Sequence, residues 1–270
     1  MLTGDKLSDK LTLNIENITK HFTGPSGAMF NVLDNICFKV EEEGSKGNLI
    51  SIIASFSSGK STLLKIISGL ETPDAGTVKL NDKKITSPNG EIAYIPENPS
   101  SFPWMNVADN INFAMRNTGK LNSVKEIVSA VGLTGYENHY PDDKSLGFRF
   151  RISIARALAA GSKVILLDDP FRRMKSITKD EIYELIRKLI NDFGITFILS
   201  TPNITEAVYL SNKIFLMKKN PGKIIDEVKL DAGTATARGL DRQERFLSLR
   251  KEIESKFVSI GENLQTEVHF

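Results

Sequence analysis

Apolar positions along this chain follow two rhythms. A period of two marks LTLNIENI (11–18) and VLDNICFKV (32–40), which predicts two strands flanking a Gly/Pro-containing loop at 24–27. Unbroken aliphatic runs, NLISIIA (48–54), VILLDD (164–169), ITFILS (195–200) and KIFLMKK (213–219), predict buried strands. Between them the spacing changes to three and four. Leu63, Leu64, Ile66 and Ile67 within 61–70, and Ile182, Leu185, Ile186, Leu189, Ile190 and Phe193 within 179–194, each predict a helix with one apolar face. A shorter helix is expected over 203–211, and GTVKLNDKKI (76–85) reads as a hairpin turning at Asn81-Asp82. From about 105 to 150 the chain is polar and helix-like, a candidate helical subdomain. A last amphipathic helix, 243–257, carries Phe246, Leu249, Ile253 and Phe257 and is expected to pack on its own domain. Strand–helix–strand alternation with these crossover lengths predicts an α/β fold with a parallel sheet.

Composition narrows this picture modestly. The 270 residues suffice for a sizeable core, and 40% hydrophobic with 25% charged residues excludes wholesale disorder. A formal net charge of +2 offers no argument for nucleic acid. Cys37 is the single cysteine, which excludes an internal disulfide and suits a reducing compartment. His21, His139 and His269 lie far apart in the chain, which disfavours a His-based metal site, and His21 and His139 are expected on the surface. Glu41-Glu42-Glu43 reads as a solvated turn. No apolar stretch approaches the ~18–20 residues of a spanning helix, and the N-terminal residues lack a signal-peptide pattern, so direct membrane insertion is not expected.

The chemistry begins at ASFSSGKST (54–62), set between a strand and a helix. That is the context of the phosphate loop GxxxxGK[ST], whose backbone N–H groups and helix N-terminus favour anions. Ser57, Ser58, Gly59, Lys60, Ser61 and Thr62 are therefore candidate phosphate-binding residues. Lys60 would reach the β/γ-phosphates and the Ser61 hydroxyl would ligate Mg²⁺. Two positions depart from the pattern: Ala54 replaces the leading Gly, and Ser57 would carry ~1–2 kcal/mol of strain if its φ is positive. Asp168, ending a buried strand, is a second candidate Mg²⁺ site.

Taken with YIPENPSSFPWMNVADNI (94–111), YPDDKSLGFRFRISIARALAAGSKVILLDDPF (140–171) and STPNITEAVYLSNKIFLMKKNPGKIIDEV (200–228), these motifs resemble the ATP-binding cassette (ABC) ATPases, the motor subunits of ABC transporters. The order and spacing look most like the nitrate/sulfonate/taurine importer branch, from about Leu11 to Phe257. The resemblance implies an α/β fold, a P-loop NTPase of ABC type with a mixed core sheet, an N-terminal antiparallel β subdomain and a helical subdomain at about 97–155. It implies a nucleotide-binding domain over 1–235 and a C-terminal helical extension over 236–270. Implied too are ATP and Mg²⁺ as cofactors, a transmembrane permease and a second ABC ATPase subunit as partners, and a cytoplasmic, peripheral place on the inner face of the cell membrane.

Scaffold positions match this family while functional ones depart from it. By resemblance, Phe22 is the adenine-stacking aromatic, Glu97 stands in place of the glutamine that senses Mg²⁺, and Asp169 replaces the catalytic glutamate. Pro202 stands where the family has its switch histidine. The signature motif, which acts in trans across a head-to-tail dimer, aligns with 144–148: Ser145 and Gly147 are kept, and Leu146 replaces a glycine. Arg172, Arg173, Met174 and Lys175 fill the D-loop, the two arginines facing either phosphate or solvent. Asp169 is one methylene short for a base, and a misplacement near 1 Å can cost ~10²-fold. Pro202 has no side chain to aim at a γ-phosphate, a contact worth ~10²–10³ in rate. The expectation is a subunit that binds Mg·ATP and hydrolyses it weakly or not at all. The alternative is a non-enzymatic pseudo-ATPase scaffold or regulator that need not bind nucleotide. A P-loop kinase or GTPase gives no reason for ISIARALAAGSKVILLDD (152–169).

Overall fold

A computed structural model describes residues 10–41, 46–99, 101–116, 123–142, 144–230, 240–262 and 264. Glu42, Glu43 and His269 lie outside them, as do 1–9, 231–239 and 265–270. The alternating N-terminal runs form β1 (Thr12–Thr23) and β2 (Met29–Glu41), longer than the pattern predicted because cross-strand pairing continues through Phe22↔Phe30 to Thr23↔Met29. The anticipated hairpin is β4 (Ala75–Leu80) and β5 (Lys83–Lys84), with Asn81 and Asp82 both at positive φ as a tight two-residue turn requires. These four strands make an antiparallel sheet in the order β2-β1-β4-β5.

The aliphatic runs build the second sheet. β3 (Leu49–Ile53), β7 (Val164–Asp168) and β8 (Thr196–Thr201) are buried along their whole length, as strands covered on both faces must be. With β6 (Ile92–Ile95), β9 (Lys213–Lys218) and β10 (Lys223–Lys229) they form six strands in the order β10-β9-β3-β8-β7-β6. Pairing is parallel from β9 to β6, and β10 closes one edge antiparallel, so the sheet is mixed. β6 and β10 were not legible from periodicity. β6 is only four residues long with two half-buried residues between its ends, and β10 buries Val228 alone, which blurs either rhythm.

Helices cover the sheet: α1 (Lys60–Ile67), α4 (Leu146–Ala160), α5 (Ser176–Phe193) and α6 (Ile204–Leu210). α2 (Val107–Arg116) and α3 (Val124–Ala130) pack with α4. The face of α5 differs from expectation at its end. Ile182, Leu185, Ile186 and Leu189 are buried together with Tyr183, whereas Phe193 is 52% exposed because Gly194 caps the helix and turns the chain away. The last helix, α7 (Leu240–Ser259), packs on its own domain: Ile253 and Phe257 are fully buried in a cluster with Ile53, Ile204, Ala207, Ile214 and Val228.

Candidate functional site

β3 and α1 are joined by the 54–59 loop, at the carboxyl edge of the parallel strands where open α/β sheets bind ligands. Its backbone is strained where the sequence suggested, at Ser57 with φ 60, while Gly59 takes φ 93 without penalty. Glycine is needed at 59 for space as well as conformation, since a Cβ there would stand 2.8 Å from Leu33 Cδ2 and 3.1 Å from the Val32 carbonyl. Lys60, the first residue of α1, is buried; its Nζ donates to the Ala54 and Ser55 carbonyls, both at 2.8 Å, and lies 3.4 Å from Ser58 Oγ. Burial pulls the ammonium down to about 8, against the opposing fields of Asp169, Asp168 and Glu262.

A cleft of about 330 Å³ opens over this loop. Ser57, Ser58, Gly59, Lys60, Ser61 and Thr62 line one side, and Glu97, Asp168, Asp169 and Arg172 the other. The chain thus brings eight predicted phosphate and metal residues, Glu97 and Asp168 included, to one place. Asp168 ends β7 beside Ser200 of β8; its two oxygens accept from the Ser200 hydroxyl at 2.7 Å and the Tyr94 hydroxyl at 2.8 Å. Tyr94 and Ser200 orient this carboxylate and were not singled out from sequence; Ser200, closing a strand run, carried a positional signal, while Tyr94 carried none.

Asp169 follows at φ 45, its N–H donating to the Ser200 carbonyl. Burial, with Glu206 and Glu97 nearby, lifts its carboxyl to about 6, although Lys60 and Arg172 pull the other way. Glu97 Oε1 is shielded from solvent and makes no hydrogen bond, but it lies 3.2 Å from Arg173 Nε and 3.9 Å from Arg172 Nη1. Arg172 stacks 4.6 Å above the Phe56 ring and borders the cleft, whereas Arg173 is more exposed.

Other predicted residues stand apart from the cleft lining. Phe22 is exposed on β1 with Lys20 over its ring, and half-buried Pro202 begins the turn into α6. Below that turn Glu206 is buried, held by Lys179 Nζ at 2.9 Å and the Thr201 hydroxyl at 3.0 Å. Ser145 caps α4, its hydroxyl accepting from the Phe148 N–H, and Gly147 sits in the first turn. A Cβ on Gly147 would meet Thr178 Cγ2 at 2.4 Å, so the absence of a side chain there serves the packing of α4 on α5. His139 is exposed in a loop, while His21 lies on β1 with Nδ1 3.1 Å from Asp74.

The donors suit Mg²⁺ chemically. Ser61 is exposed at the cleft and Asp168 offers a carboxylate, both hard oxygen ligands. No group of three or more His, Cys, Asp or Glu that could hold a metal occurs among the described residues. An ion here would therefore complete its shell with water and phosphate oxygens.

Comparison with known proteins agrees with the geometry. The family profile of the ABC transporter matches residues 33–172. An aliphatic sulfonates import ATP-binding protein, SsuB, from Bacillus cereus is 34% identical over 262 residues, covering 96% of this chain and all of that protein. A taurine import ATP-binding protein, TauB, from Ruegeria pomeroyi is 31% identical over 261 residues, covering 93% and 96%. Among solved structures, a dimeric ATP-binding cassette in a post-hydrolysis state with ADP and Pi superposes with a TM-score of 0.67 at 25% identity, over 84% of this chain and all of that one.

Proposed function

Because the chain belongs to the ABC transporter ATP-binding family, we propose that it is the nucleotide-binding subunit of an importer that holds Mg·ATP firmly and hydrolyses it weakly or not at all. The observation that carries this reading is the contrast within one cleft. The phosphate-loop side keeps Lys60, Ser61 and Thr62 around a loop of the required shape, while the opposite side has Asp169 for a glutamate and Glu97 tied to two arginines. Ser57, Ser58, Gly59, Lys60, Ser61 and Thr62 bind the phosphates, Phe22 stacks on adenine, and Ser61 and Asp168 hold the metal. Mg²⁺, when bound there, would offset the negative charge of the phosphates. Asp169 is a weakened base, held close to the loop yet too short to reach a water positioned for the longer glutamate. Pro202 supplies no donor. Ser145 and Gly147 serve a partner's nucleotide in trans, where the branched Leu146 hinders close backbone approach.

Import is supported by the names of the sulfonate and taurine relatives, and pairing by the dimeric cassette. We place the subunit on the inner face of the cell membrane through a permease, with a second ATPase subunit carrying most of the hydrolysis. Among the described residues no helix is long and apolar enough to cross a membrane. The test is calorimetric titration of Mg·ATP into the purified chain and into Lys60→Ala, with phosphate release measured alone and in the complex recovered with native partners. We expect binding by the wild type, a loss of at least ~100-fold in Lys60→Ala, and turnover well below that of a partner ATPase. Equal titrations for both proteins would favour the pseudo-ATPase scaffold, and brisk turnover by the isolated chain would sink the weak-hydrolysis reading.

A further inference from the structure

The segment just after α7 reaches the phosphate loop. After α7 the chain reverses through Gly261, at φ 75, with the Glu262 N–H donating to the Phe257 carbonyl. Glu262 is thereby turned inward and is only 7% exposed. Its Oε2 accepts from the Ser55 hydroxyl at 2.7 Å and its Oε1 from the Lys219 N–H at 2.6 Å. Ser55 lies 207 positions earlier, inside the loop, and its own carbonyl is one of the two that receive Lys60 Nζ. The helix that delivers Glu262 is anchored by Ile253 and Phe257 against a cluster containing Ile53, the residue that ends β3 just before the loop.

A buried carboxylate is costly unless hydrogen-bonded, and this one has a donor on each oxygen. If anchoring the terminus were its whole use, the Lys219 N–H and the apolar contacts of α7 would suffice. Its second bond goes instead to the loop that must present backbone N–H groups to phosphate. We propose that Glu262 is a positioning residue of the phosphate loop, coupling docking of the C-terminal segment to nucleotide binding through Ser55. Linkage then works in both directions: a docked terminus tightens Mg·ATP binding, and bound Mg·ATP holds the terminus down.

This inference rests on the nucleotide-binding reading, and the experiment separates the two. Mg·ATP is titrated calorimetrically into the full chain and into Glu262→Ala, Ser55→Ala, the double variant and Lys60→Ala, with folding checked by circular dichroism. Each of the first two variants should bind about tenfold more weakly, and the double variant no worse than either single one, because both break the same bond. Hydrogen exchange across 244–262 should slow on Mg·ATP addition in the wild type and not in Ser55→Ala. A folded Glu262→Ala with wild-type affinity, or additive losses in the double variant, overturns the proposal while leaving nucleotide binding intact. Should Glu262→Ala fail to fold, Ser55→Ala and its exchange profile decide the matter alone. A wild type that binds no Mg·ATP, like Lys60→Ala, overturns both ideas together.

Discussion

The two walls of the cleft follow opposite logics. On the loop side, Lys60 is held by neutral carbonyls and a hydroxyl, Ser57 and Gly59 at positive φ shape a cradle, and the carboxylate of Glu262 braces the loop through Ser55. On the far side, Glu97, Asp168 and Asp169 crowd together, answered by Arg172 and Arg173 from the same turn. The first wall is organised to receive an anion, and the second is occupied with balancing its own charges. Binding a phosphate and activating a water against it are separable tasks, and a chain can keep the geometry of one while losing the reach of the other.

The contrast is tested most directly by giving the far side the glutamate and histidine that the family resemblance implies. The double substitution Asp169→Glu with Pro202→His should raise phosphate release in the assembled complex by ~10²–10³-fold, the worth of a correctly placed base and one aimed contact. An unchanged rate, with Mg·ATP still bound, would show that the arginine cluster or Leu146 is limiting instead.

Gly147→Ala tests whether the first turn of α4 answers to packing. The added methyl should cost ~1–3 kcal/mol in chemical denaturation, because Thr178 Cγ2 occupies its place. Thr178→Ala in the same chain should recover most of the loss, since the atom then remaining is 3.9 Å away.

Asp169→Asn probes the crowding of carboxylates. The folded chain holds the Asp169 proton up to about 6, against the ordinary 3.8, so this group's contribution to stability is fully present below pH ~4 and is lost as pH rises through 6. The asparagine variant should therefore match the wild type near pH ~3.5 and exceed it by about 1–2 kcal/mol at pH 7.5, after allowance for solvent screening. A gap of equal size at both pH values would assign the effect to packing.

The smallest effect is expected on the loop wall. Ser57→Gly should relieve the positive φ and stabilise the fold by up to ~1 kcal/mol, part of it offset by a more flexible unfolded chain. Read with Mg·ATP binding, it also asks whether the strained loop is already in its receiving shape. Affinity within twofold of the wild type would say that it is.

Much of this molecule was legible in one dimension because burial repeats. β3, β7 and β8 announce themselves through aliphatic runs that only a doubly covered strand tolerates, and Leu63, Leu64, Ile66 and Ile67 mark the inner face of α1. The phosphate loop was equally plain, since its residues are contiguous and their spacing is dictated by the ligand. β6 was hidden because it is short, and β10 because it is mostly half-exposed, so neither carries a rhythm. Phe193 misled because a helical period says nothing of where the helix stops against its neighbours.

What the sequence determined by itself, then, was the α/β architecture and the strand–loop–helix that carries residues 54–62. Only the tertiary structure decided which distant residues meet: Glu97 with Arg172 and Arg173, Asp168 with Tyr94 and Ser200, and Glu262 with Ser55. The physical reason is range. Backbone conformation and amphipathic burial act over a few residues and leave a local pattern, whereas a hydrogen bond spanning 207 positions leaves none until the chain has folded.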